Sequence, residues 1–426
     1  MNQRNFFVRK VAVLGAGVMG AQIAAHCANA DVPVILFDLA AAEGDRNGIV
    51  NKALEGLRKL EPAPLALRDR AAAIQPANYD QHLDLLRDCD LVIEAIAERL
   101  DWKRDLYARI APFIGHHAIL ASNTSGLSIN ALADAVPDEL RNHFCGVHFF
   151  NPPRYMHLVE LIPGKATDPD LLDRLETFLT TTLGKGVVRA LDTPNFVANR
   201  VGVFSMLSAM YHTTRLGLSF DVVDALTGPA IGRPKSATYR TADVVGLDTM
   251  AHVIRTMQDT LGSGPHADPW HAHFALPEWL QALIAKGALG QKTRAGIYRK
   301  DGKDIKVLDP ARGEYAASAA VVDAEVAAAL KLKNPADKFA QLRALAERGD
   351  SPQAEFLWAI HRDVFHYCAC HLGTIAHSAR DVDFALRWGF GWNLGPFEIW
   401  QAAGWQVVAN WLSEDIAAGK AMSTAP

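Results

Sequence analysis

Cysteine and long apolar runs are both scarce in this chain of 426 residues. Its five cysteines form an odd, scattered set, whereas a disulfide framework needs an even number at close spacings, so we expect a reducing compartment. No apolar run in the sequence approaches the roughly 18 residues of a membrane span, so no membrane partner is expected. These shortages argue against a small disulfide-bonded scaffold and against an integral membrane protein.

Net charge is also low. Lysine and arginine number 43, and aspartate and glutamate number 47, which gives a formal net charge of −4 at pH 7. A basic excess would be expected of a nucleic-acid-binding protein, so nucleic acid is not an expected partner. The first predicted strand begins within ten residues of Met1, leaving no room for a signal or transit peptide. Together with an Ala- and Arg-rich composition, this predicts a cytoplasmic bacterial protein of two or three domains.

The most specific local pattern lies near the start of the chain. A short apolar strand at 10–14 is followed by G-x-G-x-x-G, formed by Gly15, Gly17 and Gly20. The first glycine permits a tight turn, the second lets the backbone approach a pyrophosphate, and the third lets helix and strand pack closely. The pattern therefore predicts a dinucleotide-binding fold.

The residues that follow complete this pattern. A helix rich in small residues begins at Val18 and Met19, and its free N–H groups would face the anion. A second strand at 32–37 ends at Asp38. The Asp38 carboxylate would accept hydrogen bonds from the adenosine ribose hydroxyls and repel a 2′-phosphate, which favours NAD over NADP.

Short apolar strands alternate with helical patterns as far as residue 191, as in a doubly wound parallel sheet. A longer, charged, helix-like stretch at 49–86 is predicted either to overhang a cleft or to form a solvated helical hairpin. Beyond Asp192-Thr193-Pro194 the chain becomes helical. Segments 216–248 and 375–405 resemble each other, which indicates a duplicated all-α unit. The predicted divisions are a Rossmann-like NAD-binding domain at 1–191, a first helical domain at 192–300, a connector at 301–345 and a second helical repeat at 346–426.

His148 and Glu160 occupy two neighbouring strand-like runs in GVHFFNPPRYMHLVELI. A glutamate inside an apolar strand is costly to bury unless it is paired, and an imidazole on the adjacent strand would be a suitable partner. Such a pair can act as a tuned proton acceptor, because the carboxylate fixes the tautomer and stabilises the imidazolium. A purely structural buried pair is the alternative on these residues alone.

Six segments together resemble the 3-hydroxyacyl-CoA dehydrogenase family, and the resemblance runs over nearly the whole chain. The segments are GAGVMG (15–20), EAIAERLDWK (94–103), SNTSGLSI (122–129), GVHFFNPPRYMHLVEL (146–161), DTPNFVANR (192–200) and GQKTRAGIY (290–298). The resemblance implies NAD-dependent oxidation of an L-3-hydroxyacyl-CoA, with NAD as cofactor and no catalytic metal. It leaves two alternatives, a non-catalytic crystallin-like NAD-binding relative and a dehydrogenase of free 3-hydroxy acids.

The resemblance also implies roles for particular residues. His148 would be the general base and Glu160 its partner, while Ser125 and Asn199 would bind substrate oxygen atoms. Asn151 would lie near both the substrate and the nicotinamide. Three further residues would line the NAD pocket: Glu98, Lys103 and Lys292. The CoA phosphates would meet basic residues of the charged stretch, for which Lys52, Arg58 and Lys59 are candidates.

Several of these residues also have ordinary structural interpretations. Ser125 could cap the helix that follows, and Asn199 could hold a domain junction. Glu98 and Lys103 could form an exposed pair, and Lys292 could be solvated. His361, His366, Cys368, Cys370 and His371 resemble a metal cluster, but on a helix only His366 and Cys370 share a face, so we expect no metal site.

Two features depart from the common family pattern. Asn195 stands where a glycine is usual, and Gly-Pro-Phe-Glu occurs only in the second repeat, at 395–398. The duplication resembles family members that are fused to an enoyl-CoA hydratase, which this chain lacks. We therefore expect a monomer, in which the second repeat replaces a partner subunit, or a homodimer, with a hydratase fused or associated.

Overall fold

The structure is a computed structural model that describes residues 8–426. The chain divides into two compact units between Phe196 and Val197. Residues 1–7, which fall in the predicted first domain, lie outside the described residues. Among residues 8–426, no helix is both long enough and apolar enough to cross a membrane.

The first unit is built on an eight-stranded sheet in the order β3-β2-β1-β4-β5-β6-β7-β8. The central strands are apolar and buried on both faces, as parallel strands covered by helices must be. One pairing breaks the parallel pattern, because β7 runs antiparallel to β6. The strands are β1 (Val11–Leu14), β2 (Val34–Asp38), β3 (Ile74–Asn78), β4 (Leu91–Glu94), β5 (Ile119–Ser122), β6 (Phe144–Phe149), β7 (Leu158–Pro163) and β8 (Gly186–Arg189).

Between residues 8 and 196, five α-helices accompany this sheet. They are α1 (Val18–Asn29), α2 (Gly48–Leu57), α3 (Leu100–Ile110), α4 (Ile129–Ala133) and α5 (Pro169–Thr181). Helix α1 is rich in alanine and buries most of its length, which lets it pack closely on β1 and β2. The doubly wound α/β fold predicted for this half is therefore present.

The stretch at 49–86 differs from the predicted helical overhang or hairpin. Only α2 is α-helical there, and the stretch also supplies the edge strand β3, which pairs in parallel with β2. This strand contains an exposed Gln75 and a proline, and proline is tolerated on an edge strand because one side of that strand has no partner. Its sequence is too short and too polar to predict a strand.

The second unit is mainly helical, and both halves of the predicted repeat begin with a long helix, followed by four shorter helices in the first half and by three in the second. The long helices, α6 and α13, pack against each other. The helices are α6 (Ala198–Arg215), α7 (Phe220–Leu226), α8 (Tyr239–Val245), α9 (Leu247–Thr260), α10 (Glu278–Ala285), α11 (Ala324–Leu330), α12 (Pro335–Arg348), α13 (Pro352–His371), α14 (Ala379–Phe390), α15 (Pro396–Ala402) and α16 (Trp405–Ala417).

The predicted all-α character of this unit needs one correction. A three-stranded antiparallel sheet is formed by β9 (Tyr298–Asp301), β10 (Asp304–Asp309) and β11 (Glu314–Ala317). It lies largely within the predicted connector, which also contains α11 and most of α12. These strands are mostly exposed, and β10 buries only Val307 and Leu308, so they lack the apolar alternation that identifies a strand.

A buried network of charges links the two long helices of this unit. Asp363 on α13 accepts hydrogen bonds from His212 Nε2 on α6 at 2.6 Å and from Arg362 Nε at 3.0 Å. Arg362 also donates to Asp415 on α16 at 3.2 Å. Asp363 is fully buried, so its charge is compensated by protein groups instead of water.

Replacement of Asp363 by alanine is expected to lower the free energy of unfolding of the second unit by about 3–5 kcal/mol, because Arg362 and His212 stay buried without this carboxylate. Chemical denaturation followed by circular dichroism measures the change. The control is Asp350→Ala at an exposed aspartate paired with Arg348, which should cost less than about 1 kcal/mol. Equal stability of the two variants would contradict a stabilising role for the network.

Candidate active site

The glycine-rich loop between β1 and α1 begins the site. Gly15 has a φ of +105°, and a Cβ on it would lie 2.8 Å from the carbonyl oxygen of Ala95. A Cβ on Gly20 would lie 1.8 Å from the carbonyl oxygen of Gly15. At Gly17 an added Cβ would meet no described heavy atom within 4 Å. The first and third glycines are therefore required by packing, while the second lies beside open space that suits a pyrophosphate.

Asp38 stands at the carboxyl end of β2 and contacts this loop. Its Oδ2 accepts a hydrogen bond from Ala16 N at 2.6 Å, and its Oδ1 accepts one from Leu39 N at 2.7 Å. The carboxylate thus fixes the loop between the first two glycines of the motif. Val18 and Met19 begin α1 directly behind Gly17, and Val18 is exposed.

His148 and Glu160 lie opposite each other on the antiparallel pair β6 and β7. His148 Nδ1 is 2.8 Å from Glu160 Oε2, and the two residues are 3% and 0% exposed. The ring lies between Phe150 and Phe196, whose centroids are 4.5 and 5.7 Å away. Because an ionised carboxylate can only accept, Nδ1 donates and Nε2 of the neutral ring carries the lone pair. This geometry can hold a proton acceptor in one tautomer.

Glu94, at the end of β4, was not singled out by the sequence. It is fully buried and accepts hydrogen bonds from four donors, which are Lys103 Nζ at 2.6 Å, Ile96 N at 2.8 Å, Tyr107 OH at 2.9 Å and Ser122 Oγ at 2.7 Å. A single acid in an otherwise apolar strand was the signal that identified Glu160, and the same signal applies to Glu94. Lys103 is 1% exposed and 3.9 Å from Glu98, so an exposed Glu98–Lys103 pair is wrong.

Glu98 instead organises the loop after β5. Its carboxylate accepts hydrogen bonds from Thr124 Oγ1 at 2.7 Å and from Ser125 N at 2.5 Å. Ser125 does not cap the helix that follows, since Ser128 caps α4 by accepting from Ala131 N at 3.2 Å. The Ser125 side chain is therefore held on a loop that Glu98 positions.

Asn151 follows β6 and contacts α1, because its Oδ1 accepts a hydrogen bond from Gln22 Nε2 at 3.1 Å. The loop after it is held by Lys185, a buried residue that the sequence did not indicate. The Lys185 ammonium donates to the carbonyl oxygens of Pro153 and Met156. Burial lowers the pKa of this ammonium to about 8.

The remaining predicted residues are more widely distributed. Lys52 on α2 and Lys59 after it are exposed, and Arg58 pairs with Glu55. Asn199 and Lys292 belong to the second unit. Asn199 is half-buried in the first turn of α6, and Lys292 forms an exposed ion pair with Asp248 at 2.5 Å.

Three side chains of the metal-like cluster on α13 contact backbone carbonyl oxygens. His361 Nδ1 lies 2.7 Å from Leu357 O, His366 Nε2 lies 2.7 Å from Ala425 O, and Cys370 Sγ donates to Pro426 O. In the described part of the chain, no three His, Cys, Asp or Glu side chains are grouped to hold a metal ion.

Asn195 stands at the position where the family usually has glycine, and it has a φ of +61°. Asparagine is one of the few other residues that adopt this left-handed region at modest cost. The substitution therefore preserves the turn that leads into α6.

Lys103→Met is expected to lower the free energy of unfolding of the first unit by about 3–5 kcal/mol, because the Glu94 carboxylate would stay buried without its cation. The matched control is Arg104→Met at the next, exposed position of α3. Denaturant midpoints of both variants give the comparison. A loss at Lys103 no larger than at Arg104 would show that Glu94 does not depend on its partner.

Two family models match the chain. Residues 10–193 match the NAD-binding domain of 3-hydroxyacyl-CoA dehydrogenase, and residues 196–300 match its C-terminal domain. A "Probable 3-hydroxyacyl-CoA dehydrogenase" of Deinococcus radiodurans is 44% identical over 300 residues, which are 70% of this chain and 84% of that protein. A protein of the same name from Bacillus subtilis is 40% identical over 412 residues, or 93% of this chain.

A crystal structure of 3-hydroxybutyryl-CoA dehydrogenase from Escherichia coli shows the same fold, with a TM-score of 0.71 and 23% identity, over 97% of this chain and 95% of that one. The chain spans only 51% of the Bacillus subtilis protein. The glycine-rich loop lies within the first matched domain, so the first unit is an NAD-binding domain of this type. The chain belongs to the 3-hydroxyacyl-CoA dehydrogenase family.

Proposed function

We propose that the chain catalyses the reversible, NAD-dependent oxidation of an L-3-hydroxyacyl-CoA to the 3-ketoacyl-CoA. The reaction would serve fatty-acid β-oxidation or related acyl-CoA metabolism in the bacterial cytoplasm. The buried His148–Glu160 pair, with Nδ1 2.8 Å from the carboxylate, is the observation that carries this proposal. The tautomer leaves a lone pair on Nε2 in a structural pair as well, and membership of the family favours the catalytic interpretation.

The chemistry follows from that tautomer. His148 Nε2 takes the proton of the substrate 3-hydroxyl, and Glu160 stabilises the imidazolium that results. NAD, when bound, accepts the hydride that leaves C3. In the reverse direction the imidazolium returns the proton to the 3-keto oxygen.

NAD fits the residues that would hold it. The open space at Gly17 receives the pyrophosphate at the start of α1, and Asp38 takes the adenosine ribose. Glu98 and Lys103 support the proposed pocket indirectly. Glu98 holds the loop that carries Ser125, and Lys103 neutralises the Glu94 carboxylate. Asn151 is proposed to lie near the nicotinamide, and Lys292 is proposed to line the NAD pocket.

Substrate binding is proposed for a smaller group. The Ser125 hydroxyl and the Asn199 amide hydrogen-bond the substrate oxygens, and Asn151 lies beside them. The exposed ammonium groups of Lys52 and Lys59 meet the CoA phosphates, which are anionic and extend into solvent. We further propose that the chain is a monomer, in which the duplicated unit replaces a partner subunit, or a homodimer, and that an enoyl-CoA hydratase is fused to it or associates with it.

His148→Ala is expected to reduce kcat at least about a hundredfold, because a positioned acid–base group contributes about 10²–10⁴ to the rate. NAD affinity should stay unchanged, since the substitution leaves Gly17 and Asp38, the residues proposed to hold the pyrophosphate and the ribose, intact. NADH formation from short-, medium- and long-chain L-3-hydroxyacyl-CoA, together with NAD titration, measures both. The control is the exposed His116→Ala.

If His148→Ala retained most of the activity, His148 would not be the general base. A wild-type chain that binds NAD but is inert toward every chain length would instead favour a non-catalytic relative. Turnover of free 3-hydroxy acids alone would instead identify a dehydrogenase of free 3-hydroxy acids.

Asp38→Asn is expected to weaken NAD binding about five- to a hundredfold, because charge-assisted hydrogen bonds contribute about 1–3 kcal/mol. NADP binding should improve relative to NAD, since the negative charge that repels a 2′-phosphate is lost. Fluorescence titration with both cofactors gives the ratio. An unchanged ratio would exclude Asp38 as the discriminating group.

A further inference from the structure

Gln22 is a buried polar residue on α1, one turn beyond the exposed Val18 at the start of that helix. Its side chain is 6% exposed, and it lies outside the glycine-rich motif, which ends at Gly20. The Gln22 Nε2 group donates one hydrogen bond to the carbonyl oxygen of Val18 at 3.2 Å and another to Asn151 Oδ1 at 3.1 Å. Both hydrogens of this amide nitrogen are therefore used, and Gln22 joins the start of α1 to the loop after β6.

The carbonyl oxygen of Val18 determines how both side-chain amides are oriented. A carbonyl oxygen can only accept, so the atom of Gln22 that faces it must be the nitrogen. The same nitrogen faces Asn151 and can only donate, so Asn151 must present its oxygen. The reverse orientation of Gln22 would place two oxygen atoms 3.2 Å apart in a buried position, where neither would have a donor. The backbone of α1 thus fixes the Asn151 amide through one intervening side chain.

The Asn151 Nδ2 group is left available by this arrangement. Asn151 is an exposed residue, and within residues 8–426 its Nδ2 donates no hydrogen bond. An exposed side chain that is already held in one orientation loses less conformational freedom when a ligand binds, and this favours binding. Two N–H groups are therefore held ready for an acceptor that the chain itself does not supply.

We propose that Gln22 is a positioning residue, which makes Asn151 a hydrogen-bond donor to a carbonyl oxygen of a bound ligand. The inference rests on the proposed function, in which Asn151 lies beside the substrate and the nicotinamide. Both of these carry a carbonyl oxygen, in the nicotinamide carboxamide and in the acyl-CoA. Such an oxygen is complementary to Nδ2, whereas Oδ1 in its place would repel it. Gln22 contributes without touching the ligand.

A double-mutant cycle on the full chain tests this role, with Gln22→Met and Asn151→Ala. Methionine has a similar length but no donor, so it leaves the Asn151 amide free to turn. Gln22→Met should lower kcat/KM for L-3-hydroxyhexanoyl-CoA, or the affinity for NAD, about two- to tenfold, as expected for one neutral hydrogen bond. In the Asn151→Ala background the same substitution should change either quantity less than about twofold, because no amide is left to orient.

The two measurements also identify the acceptor. A fall in NAD affinity would assign the donor to the nicotinamide carboxamide, and a fall in kcat/KM at unchanged NAD affinity would assign it to the acyl-CoA. If Gln22 served only to stabilise the start of α1, Gln22→Met would have the same effect in both backgrounds, and this result would overturn the proposal. An unchanged kcat/KM together with an unchanged NAD affinity would overturn it as well.

Gln353→Met is the matched control. Gln353 is also a buried glutamine, at 8% exposed, and its Nε2 donates to the backbone carbonyl oxygen of Val321 at 2.9 Å. The control should leave kcat/KM and NAD affinity as in the wild type. Denaturant unfolding of every variant shows whether it folds.

Asn151→Asp tests the direction of the hydrogen bond without altering α1. Aspartate still accepts from Gln22 but has no donor for a carbonyl oxygen. Whichever quantity responds to Gln22→Met should therefore fall at least about tenfold in Asn151→Asp, because an acceptor would face the ligand oxygen. Wild-type values of both kcat/KM and NAD affinity in this variant would show that Asn151 is not a donor.

Binding measurements separate this inference from the proposed function. A wild-type chain that turned over no L-3-hydroxyacyl-CoA would contradict the proposed function. The same cycle would then be measured by isothermal titration calorimetry, from the affinities for NAD and for L-3-hydroxyhexanoyl-CoA. If Gln22→Met left both affinities unchanged, the positioning role of Gln22 would be excluded as well.

Discussion

The register between β6 and β7 is the constraint on which the candidate site depends. Side chains on a strand alternate between the two faces of the sheet, so a slip of one residue would move Glu160 to the face opposite His148. The apolar residues on either side of both side chains hold this register, because they are all buried in one core cluster on the other face of the sheet. The geometry of a two-residue pair is therefore maintained by packing along two whole strands.

Compensation of buried charge recurs throughout the protein. Glu94 is surrounded by four donors, and Asp363 by a histidine and an arginine on neighbouring helices. Each network joins elements that are distant in the sequence, so it favours one arrangement of those elements over others. Lys185 is compensated differently, because its buried ammonium donates to the carbonyl oxygens of Pro153 and Met156.

The sequence predicts those features that depend on local pattern. The strands with continuous apolar runs, the glycine-rich turn and Asp38 at the end of β2 all follow from short-range spacing. Strand β3 and the sheet of β9 to β11 could not be predicted, because they are short, polar and stabilised by pairing partners far along the chain. Glu94 and Lys185 were missed for a related reason, since their importance lies in the donors and acceptors that the fold brings to them.

The three glycines of the loop after β1 are subject to different requirements. A side chain at Gly15 or Gly20 would collide with the backbone, so the folded chain itself excludes one. Gly17 has a φ of −70° and open space around its Cα, so the unliganded protein has room for a methyl group there. On the proposed function, folding restricts the outer two positions and cofactor binding restricts the middle one. Within six consecutive residues, folding and cofactor affinity are therefore separately adjustable.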